Sequence, residues 1–304
     1  MPSTTIAELW ANKSTNGRSQ IATRDWRWLG FHLLGWVAPE VAQRRALERF
    51  LSPPAPLLNQ AKWPKLEGIS TDHFRIKMST DLGGVRETAE LGVHLWGRGP
   101  AIYLLHGWGG RSTQWSSFIE PLVRAGFTAV LFDAPGHGES PAPRTSIPHF
   151  AAALTTVVDS VGPARAIVGH SLGGVAASVA LGRGLGAERV AFIGSPADPT
   201  EFFLGYLREI GLPRHLLDPI WTKFETEYGF DWKELPVRAP RQAPAFPALV
   251  VHDRDDREVP YASAERIVRG WPAAALVTTS GLGHRRILRD ASVIERVVAF
   301  AGGA

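Results

Sequence analysis

The stretch that most constrains the fold is the segment 164–181, which has a serine between two glycines near its centre. Residues 164–168 form a short apolar run typical of a buried parallel strand, and residues 175–181 are small and apolar, as in a helix packed tightly on a sheet. Ser171 therefore lies where a strand turns sharply into a helix. There, a Gly-x-Ser-x-Gly motif forms a nucleophile elbow, because its glycines let strand and helix approach and the hydroxyl projects from the turn. The alternative is a plain glycine-rich turn.

Around this segment, apolar strands alternate with amphipathic helices. Strands are predicted at residues 101–105, 128–132, 164–168, 189–193, 245–251 and 274–279, after a hairpin formed by residues 73–79 and 88–96. Helices are predicted at residues 113–125 (kinked or divided at Pro121), 148–161, 171–183, 260–269 and 290–300. This alternation predicts an α/β protein with a mostly parallel, doubly wound sheet that helices cover on both faces.

The alternation lapses between residues 197 and 244, where aromatic residues are frequent and no strand is evident. We interpret this stretch as a helical lid, or cap, inserted over the carboxyl edge of the sheet. Its aromatics either contact a hydrophobic substrate or form a small core of their own. The core then comprises residues 66–196 and 245–304.

Residues 1–65 differ from the rest and are interpreted as an N-terminal helical extension. Basic residues separate five tryptophans, namely Trp10, Trp26, Trp28, Trp36 and Trp63. Residues 39–50 read as an amphipathic helix that begins with Pro39. Such a segment can lie on a membrane surface, but we favour packing onto its own domain or onto a second subunit, which makes a homo-oligomer possible.

Composition excludes several classes of function. The net charge of the 304 residues is only +4 and the basic residues are scattered, which argues against binding to nucleic acid. The absence of cysteine excludes disulfides, a thiol nucleophile and thiolate metal sites. We see no secretory signal, and the apolar stretch 29–38 is too short to span a bilayer, so a soluble cytoplasmic protein is expected.

A serine nucleophile needs a base, and His284 is the candidate. It lies in a glycine-rich loop directly after the last predicted strand, at the edge of the sheet where Ser171 is expected. His170 adjoins the serine and cannot easily fold back onto it, and His106 ends a strand where it more naturally supports a loop.

The acid that orients the base is sought after the strand 245–251. Asp256 stands a few residues beyond this strand and just before a helix, from where its carboxylate can reach the loop of His284. Asp253, Asp255 and Asp198 remain alternatives, the first two being expected to be solvated, paired with arginines or capping.

An oxyanion formed at the carbonyl of a substrate needs backbone N–H donors. Leu172 supplies one at the start of the new helix, and Trp108 is the candidate for the other, in the glycine-rich turn 106–110. No metal-binding motif and no nucleotide fingerprint accompanies these residues, so neither a metal nor a cofactor is expected.

Together these motifs resemble those of the α/β-hydrolase fold superfamily of serine esterases, lipases and carbon–carbon hydrolases. The resemblance covers the chain from about residue 68 onward, and the matching segments are 106–110, 133–140, 169–174, 252–260 and 283–284. It implies the triad order serine, aspartate, histidine and a supporting role for residues 133–140. The chain departs from the family at Asp253, where glycine is usual.

We therefore expect a serine hydrolase that cleaves a carboxylic ester, or a related acyl compound with a hydrophobic portion, through an acyl-enzyme formed on Ser171. Its partner would be a small-molecule acyl substrate. The alternatives are an acyltransferase, a carbon–carbon bond hydrolase, and a non-catalytic protein that keeps the fold to hold a ligand.

Overall fold

The structure is a computed structural model that describes residues 26–53, 63–64, 66–82, 84–228, 231–240 and 246–303. Eight strands form one sheet: β1 (Thr71–Leu82), β2 (Val85–Trp96), β3 (Ala101–Leu105), β4 (Thr128–Phe132), β5 (Ala164–His170), β6 (Val190–Ile193), β7 (Ala248–Asp253) and β8 (Ala274–Thr279). Their order across the sheet is β1-β2-β4-β3-β5-β6-β7-β8. Strand β2 pairs antiparallel with β4, and β4, β3, β5, β6, β7 and β8 are parallel throughout. The predicted mostly parallel sheet of the α/β-hydrolase fold is thereby confirmed.

Ten α-helices lie among the described residues. They are α1 (Trp26–Val37), α2 (Pro39–Leu51), α3 (Ser116–Arg124), α4 (Ile147–Val161), α5 (Leu172–Gly182), α6 (Thr200–Glu209), α7 (Leu217–Tyr228), α8 (Ala262–Gly270), α9 (Gly283–Arg286) and α10 (Ala291–Gly302). Helices α3 and α10 pack together on the sheet face that carries Ile102, Leu104 and Leu131. Helices α4 and α5 pack against each other and against β3 and β5, and α8 packs on β7 and β8. Side chains alternate along a strand, so the parallel sheet is buried on both faces, as its continuous apolar strands require.

Most element boundaries differ from the sequence-based prediction by one to three residues, and three of the differences bear on the site or on the helix with Pro121. Strand β5 continues through Gly169 to His170, so the strand runs directly into Ser171. Strand β7 begins at Ala248; the predicted start at residue 245 lies outside the described residues. Pro121 lies inside α3 without dividing it, and the break falls earlier, between a 3-10 turn at Ser112–Trp115 and the helix proper.

Contacts divide the chain into two compact units. One includes α1, α2, the hairpin tip 81–86 and residues 199–232, and the other holds the remainder of the sheet with its helices. In the first unit, Phe203, Phe224 and Trp232 are buried and stack on one another, with Phe50 of α2 edge-on to the first two. These aromatics form a core of their own, as in the second interpretation of the inserted stretch. That residues 197–244 act as a lid stays a prediction.

The predicted N-terminal extension is helical where it is described, since α2 coincides with the amphipathic helix expected after Pro39. Trp10 lies outside the described residues. Trp63 packs on Trp96 and His94 of β2, whereas Trp26 and Trp36 are exposed on α1. None of the helices among the described residues combines the length and the apolar character that crossing a bilayer requires.

Candidate active site

Ser171 occupies a strained turn between β5 and α5. Its φ and ψ are 53° and −123°, and within the described residues it is the one non-glycine residue with a positive φ. Such a conformation costs on the order of 1–3 kcal/mol and persists only where its surroundings hold it. Here the backbone N–H of Ser171 donates to the carbonyl of Ile193 at 2.9 Å. The sharp turn leaves the side chain projecting at the carboxyl edge of the sheet, as the motif predicts.

Glycines are required on both sides of Ser171, because the backbone of neighbouring elements approaches these positions closely. A Cβ at Gly169 would lie 2.5 Å from the backbone of Gly174, and one at Gly173 would lie 2.6 Å from the carbonyl oxygens of Leu105 and His106. Any side chain at these positions would force helix α5 away from β5 and from the end of β3. The glycines of the motif therefore set how closely the serine approaches the turn 106–110.

His284 is buried in the short helix α9, and its Nδ1 lies 2.7 Å from Oδ2 of Asp256. The other carboxylate oxygen of Asp256 accepts the backbone N–H groups of Glu258 and Val259, both at 2.8 Å. Burial alone would raise the pKa of Asp256, but the hydrogen bonds from His284 and from these amides outweigh it and lower the pKa. The carboxylate is therefore ionised at neutral pH, holds the proton of His284 on Nδ1 and leaves Nε2 as the acceptor.

The residues at the end of strand β6 lie next to both Ser171 and His284. The carbonyl of Ile193 binds the amide of Ser171, and the next residue, Gly194, has a φ of +56° and faces the imidazole. A Cβ at Gly194 would lie 3.3 Å from Nδ1 of His284 and 3.5 Å from Oδ2 of Asp256. No hydrogen bond joins Ser171 Oγ to His284 Nε2 in the described part of the chain, and in structures without substrate such contacts are often long.

The other aspartates that the sequence left open have different contacts. Asp253 is fully buried, and its carboxylate accepts the amides of Asp255 and Leu282 and the hydroxyl of Thr279, at 2.7–3.1 Å. Asp255, which is exposed, accepts the amide of Gly281 at 2.7 Å. Of the three expectations for Asp253, solvation is wrong and capping fits, because its buried carboxylate accepts backbone amides of the turn that leads to His284. Asp198 lies beside Arg266, with 3.8 Å between their charged groups.

The two histidines considered as alternative bases are both buried and bonded to backbone. His170 donates through Nε2 to the carbonyl of His284 at 2.9 Å. Burial, reinforced by His284, lowers the pKa of His170 to about 3, so its ring is neutral and acts as a brace for the loop of His284. Nε2 of His106 accepts the amide of Ala134 at 3.0 Å. The sequence analysis did not predict that His170 supports the loop of His284. The available signal was the position of His170 directly before Ser171.

The turn 106–110 lies against Ser171. A Cβ at Gly107 would lie 2.9 Å from Cβ of Ser171. The amide of Gly109 donates to Nε2 of His137 at 3.1 Å, which fixes the backbone directly after Trp108. Leu172 begins helix α5, so its amide lies at the positive end of that helix. The two predicted donors, Trp108 and Leu172, thus flank the serine, and their role toward an oxyanion stays a prediction.

The segment 133–140 supports that turn through hydrogen bonds. Asp133 accepts the amides of Ser112 and Glu139, and His137 donates through Nδ1 to the carbonyl of Pro135 at 3.1 Å. The tautomer that this contact requires leaves Nε2 of His137 free to accept from Gly109. Sequence reasoning assigned the segment to support as a whole but did not identify His137 as the contact.

Comparisons with known proteins show the family and the fold of the chain. The model of a family described as "Alpha/beta hydrolase family" matches residues 102–297. A 2-hydroxy-6-oxononadienedioate/2-hydroxy-6-oxononatrienedioate hydrolase of Burkholderia vietnamiensis is 28% identical over 279 residues, which is 74% of this chain and 96% of that protein. A hydrolase of the same name, numbered 1, from Dechloromonas aromatica is 27% identical over 247 residues, or 65% of this chain and 84% of that protein.

Solved structures are similar at the level of the fold. A bromoperoxidase from Bacillus anthracis has a TM-score of 0.56 at 17% identity and covers 76% of this chain and 100% of its own. A meta-cleavage product hydrolase from Pseudomonas fluorescens has a TM-score of 0.52 at 17% identity, with 74% and 97% covered. The family match spans more than half of the chain, and the strand order and the serine turn accord with it. The chain therefore belongs to the alpha/beta hydrolase family and is a hydrolase.

Proposed function

We propose that the protein is a serine hydrolase in which Ser171 is the nucleophile, His284 the general base and Asp256 the group that orients His284. The observation that carries the proposal is the 2.7 Å contact between His284 Nδ1 and the buried carboxylate of Asp256, at the sheet edge where Ser171 projects. A serine hydroxyl is a weak nucleophile at neutral pH, and a base held in one tautomer is what it needs.

The reaction follows from these positions. Ser171 Oγ attacks the carbonyl carbon of the substrate while its proton passes to Nε2 of His284, and the imidazolium that forms is stabilised by Asp256. The oxyanion is bound by the amides of Trp108 and Leu172. His284 then gives the proton to the leaving group, which departs and leaves Ser171 acylated. Water, deprotonated by His284, attacks the acyl-enzyme and releases the acid with Ser171 restored.

For the substrate we propose a carboxylic ester, or a related acyl compound, with an apolar portion. Trp108 favours a substrate with an apolar portion, because it is 43% exposed and directly follows Gly107, where a Cβ would lie only 2.9 Å from Cβ of Ser171. The aromatic cluster of residues 203–232 gives no support for an apolar portion of the substrate, because its buried rings pack on one another.

The test is labelling with a fluorophosphonate, which phosphonylates activated serine hydroxyls. We expect one adduct per chain, mapped to Ser171 by mass spectrometry, and hydrolysis of short-chain p-nitrophenyl esters. Ser171→Ala should lose both, whereas Ser263→Ala, a matched change at a partly exposed serine, should keep both. A folded wild-type protein that is not labelled would point to a non-catalytic ligand-binding protein.

A second candidate reaction is hydrolysis of a carbon–carbon bond next to a ketone. It is favoured by the two curated relatives, whose names specify 2-hydroxy-6-oxo dienedioate and trienedioate substrates. The same three residues would serve, with an enolate in place of an alkoxide as the leaving group. Comparing kcat/KM for such a dienedioate with that for p-nitrophenyl esters separates the two reactions. Adding an alcohol acceptor and analysing the products separates hydrolysis from acyl transfer.

A further inference from the structure

A cluster of two histidines and a glutamate lies on the antiparallel side of the sheet. His73 is in β1, His94 is in the neighbouring β2, and Glu139 is in the loop that follows β4. One possible ligand atom from each residue lies within 4.8 Å of the other two. The three residues are far apart in the chain and form no metal-binding motif, so sequence analysis passed over them.

The side chains converge on one carboxylate oxygen. His73 Nε2 is 3.0 Å from Oε2 of Glu139, and His94 Nε2 is 3.6 Å from the same atom. The two imidazole rings are stacked, with centroids 4.1 Å apart and planes 6° from parallel. Three groups that can each donate an electron pair thus surround one small volume.

The Nε2 atom of His94 is the unexplained feature of this cluster. His94 is 6% exposed, and its Nε2 is buried without a hydrogen-bond partner. Buried polar atoms without partners are rare in folded proteins, because they lose hydration and gain nothing in return.

Backbone contacts hold Glu139 in place for this geometry. Its amide donates to Asp133 at 2.8 Å, and its carbonyl accepts from the guanidinium of Arg75 at 3.2 Å. Gly92 of β2 leaves the room that Glu139 occupies, since a Cβ at Gly92 would lie 2.9 Å from Cβ of Glu139. The carboxylate is therefore presented to the histidines by a fixed main chain.

We propose that His73, His94 and Glu139 bind a divalent transition-metal ion of the Zn²⁺, Ni²⁺ and Cu²⁺ group. Two imidazoles and one carboxylate suit these ions, and the half-exposed side chains of His73 and Glu139 leave positions for water. The ring of His73 must turn out of the stack so that both lone pairs meet at one ion, and its exposure permits this. The ion would join the β1–β2 hairpin to the loop 133–140, which is a structural role and does not depend on the proposed function.

The competing explanation is that Glu139 only accepts a hydrogen bond from His73, on which the ring of His94 stacks, with no ion involved. Direct binding distinguishes the two. Full-length protein, without an affinity tag and treated with chelator, is titrated with Zn²⁺ by calorimetry and with Co²⁺ by absorption spectroscopy. We expect one ion per chain and Co²⁺ d–d bands that report imidazole ligands. At a hundredfold excess over Kd, Zn²⁺ should raise Tm by on the order of 5 °C.

The variants His73→Gln and Glu139→Gln should weaken Zn²⁺ binding at least about tenfold, since each removes a ligand. Both positions are about half exposed, so the fold should survive, and Tm without metal checks this. His215→Gln, at an exposed histidine of the other compact unit, is the matched control and should bind as the wild type does. The proposal is overturned if the wild type binds no ion, if His73→Gln binds unchanged, or if His215→Gln loses binding equally.

Discussion

The loop that carries His284 and the turn that carries Trp108 lie on two sides of Ser171, and different groups hold them. On the His284 side, the carboxylate of Asp256 binds the imidazole and that of Asp253 binds the backbone of the turn before it, while the ring of His170 binds the carbonyl of His284. On the Trp108 side, the group bound directly to the turn is the imidazole of His137, which accepts the amide of Gly109, while the carboxylate of Asp133 accepts the amide of Ser112 beyond the turn. The groups that bind the imidazole of His284 and the amide of Gly109 therefore differ in charge.

The proposed reaction explains why the two sides differ. A positive charge develops on His284 and a negative charge between the amides of Trp108 and Leu172, so a carboxylate helps on the first side and would oppose the second. Burial, with the neighbouring His106, lowers the pKa of His137 to about 4, which keeps that support neutral at pH 7. Substitutions at Asp256, His137 and Asp253 each remove one part of this contrast.

The largest effect is expected for Asp256→Asn. The amide cannot stabilise the imidazolium, and it favours the tautomer with the proton on Nε2, which cannot accept from Ser171. We expect kcat for p-nitrophenyl esters to fall on the order of 10⁴-fold with little change in Tm. Asp198→Asn is the matched control and should leave kcat close to that of the wild type. A greater loss in Asp253→Asn than in Asp256→Asn would assign the orienting role to Asp253.

On the other side, His137→Leu removes the acceptor for the amide of Gly109. The backbone after Trp108 is then free to shift, and a displacement of about 1 Å at an oxyanion donor lowers kcat by on the order of 10²-fold. His137→Gln offers an amide oxygen in place of Nε2 and should recover part of the rate. Equal activity in the two variants would show that the hydrogen bond to Gly109 does not position the turn.

We expect acid to weaken the Trp108 side and the His284 side of Ser171 in different pH ranges. On the Trp108 side, protonation of His137 sets the range. His137 is neutral when folded down to pH of about 4, whereas an unfolded histidine takes a proton below about pH 6.5, so unfolding binds a proton between these values. Stability therefore falls with falling pH in this range, by about 1.4 kcal/mol per pH unit for this one residue. Urea unfolding of the wild type and of His137→Gln from pH 7 to pH 5 measures it. The variant should show the shallower slope, and identical slopes would contradict the prediction.

The sequence predicted those parts of the site that local backbone geometry dictates. A serine between glycines at the end of an apolar strand has few alternatives to a tight turn, and Ser171 adopts the positive φ that such a turn demands. Strand β8 matches its predicted limits because its flanks, a proline turn and a glycine-rich loop, mark them in the sequence.

Long-range contacts could not be predicted in the same way. Asp253, Asp255 and Asp256 lie within four positions, and which of them meets His284 depends on the course of a turn that the sequence does not encode in any simple pattern. The predicted ranking placed Asp256 first, yet the buried position of Asp253 was not foreseen. The cluster of His73, His94 and Glu139 was invisible because it depends on hairpin register and on a loop more than forty residues away.

The smallest effect is expected for Asp253→Asn, which tests whether the second carboxylate acts on structure alone. Asparagine keeps one acceptor oxygen but turns an NH₂ group toward the donors of Thr279 or Asp255, so we expect a loss of about 1–3 kcal/mol in the free energy of unfolding at pH 7.

The pH dependence of that loss identifies its cause. Burial would raise the pKa of Asp253, but its hydrogen bonds outweigh burial and lower it. The stabilisation is therefore complete above the unfolded value of about 3.9 and disappears as the pH falls through the folded value. The difference between Asp253→Asn and the wild type should be constant from pH 8 to pH 5 and shrink only below about pH 4. Because Asp256 still holds His284 in this variant, kcat should fall only a few-fold; a loss as large as that of Asp256→Asn would mean that the two carboxylates act as one unit.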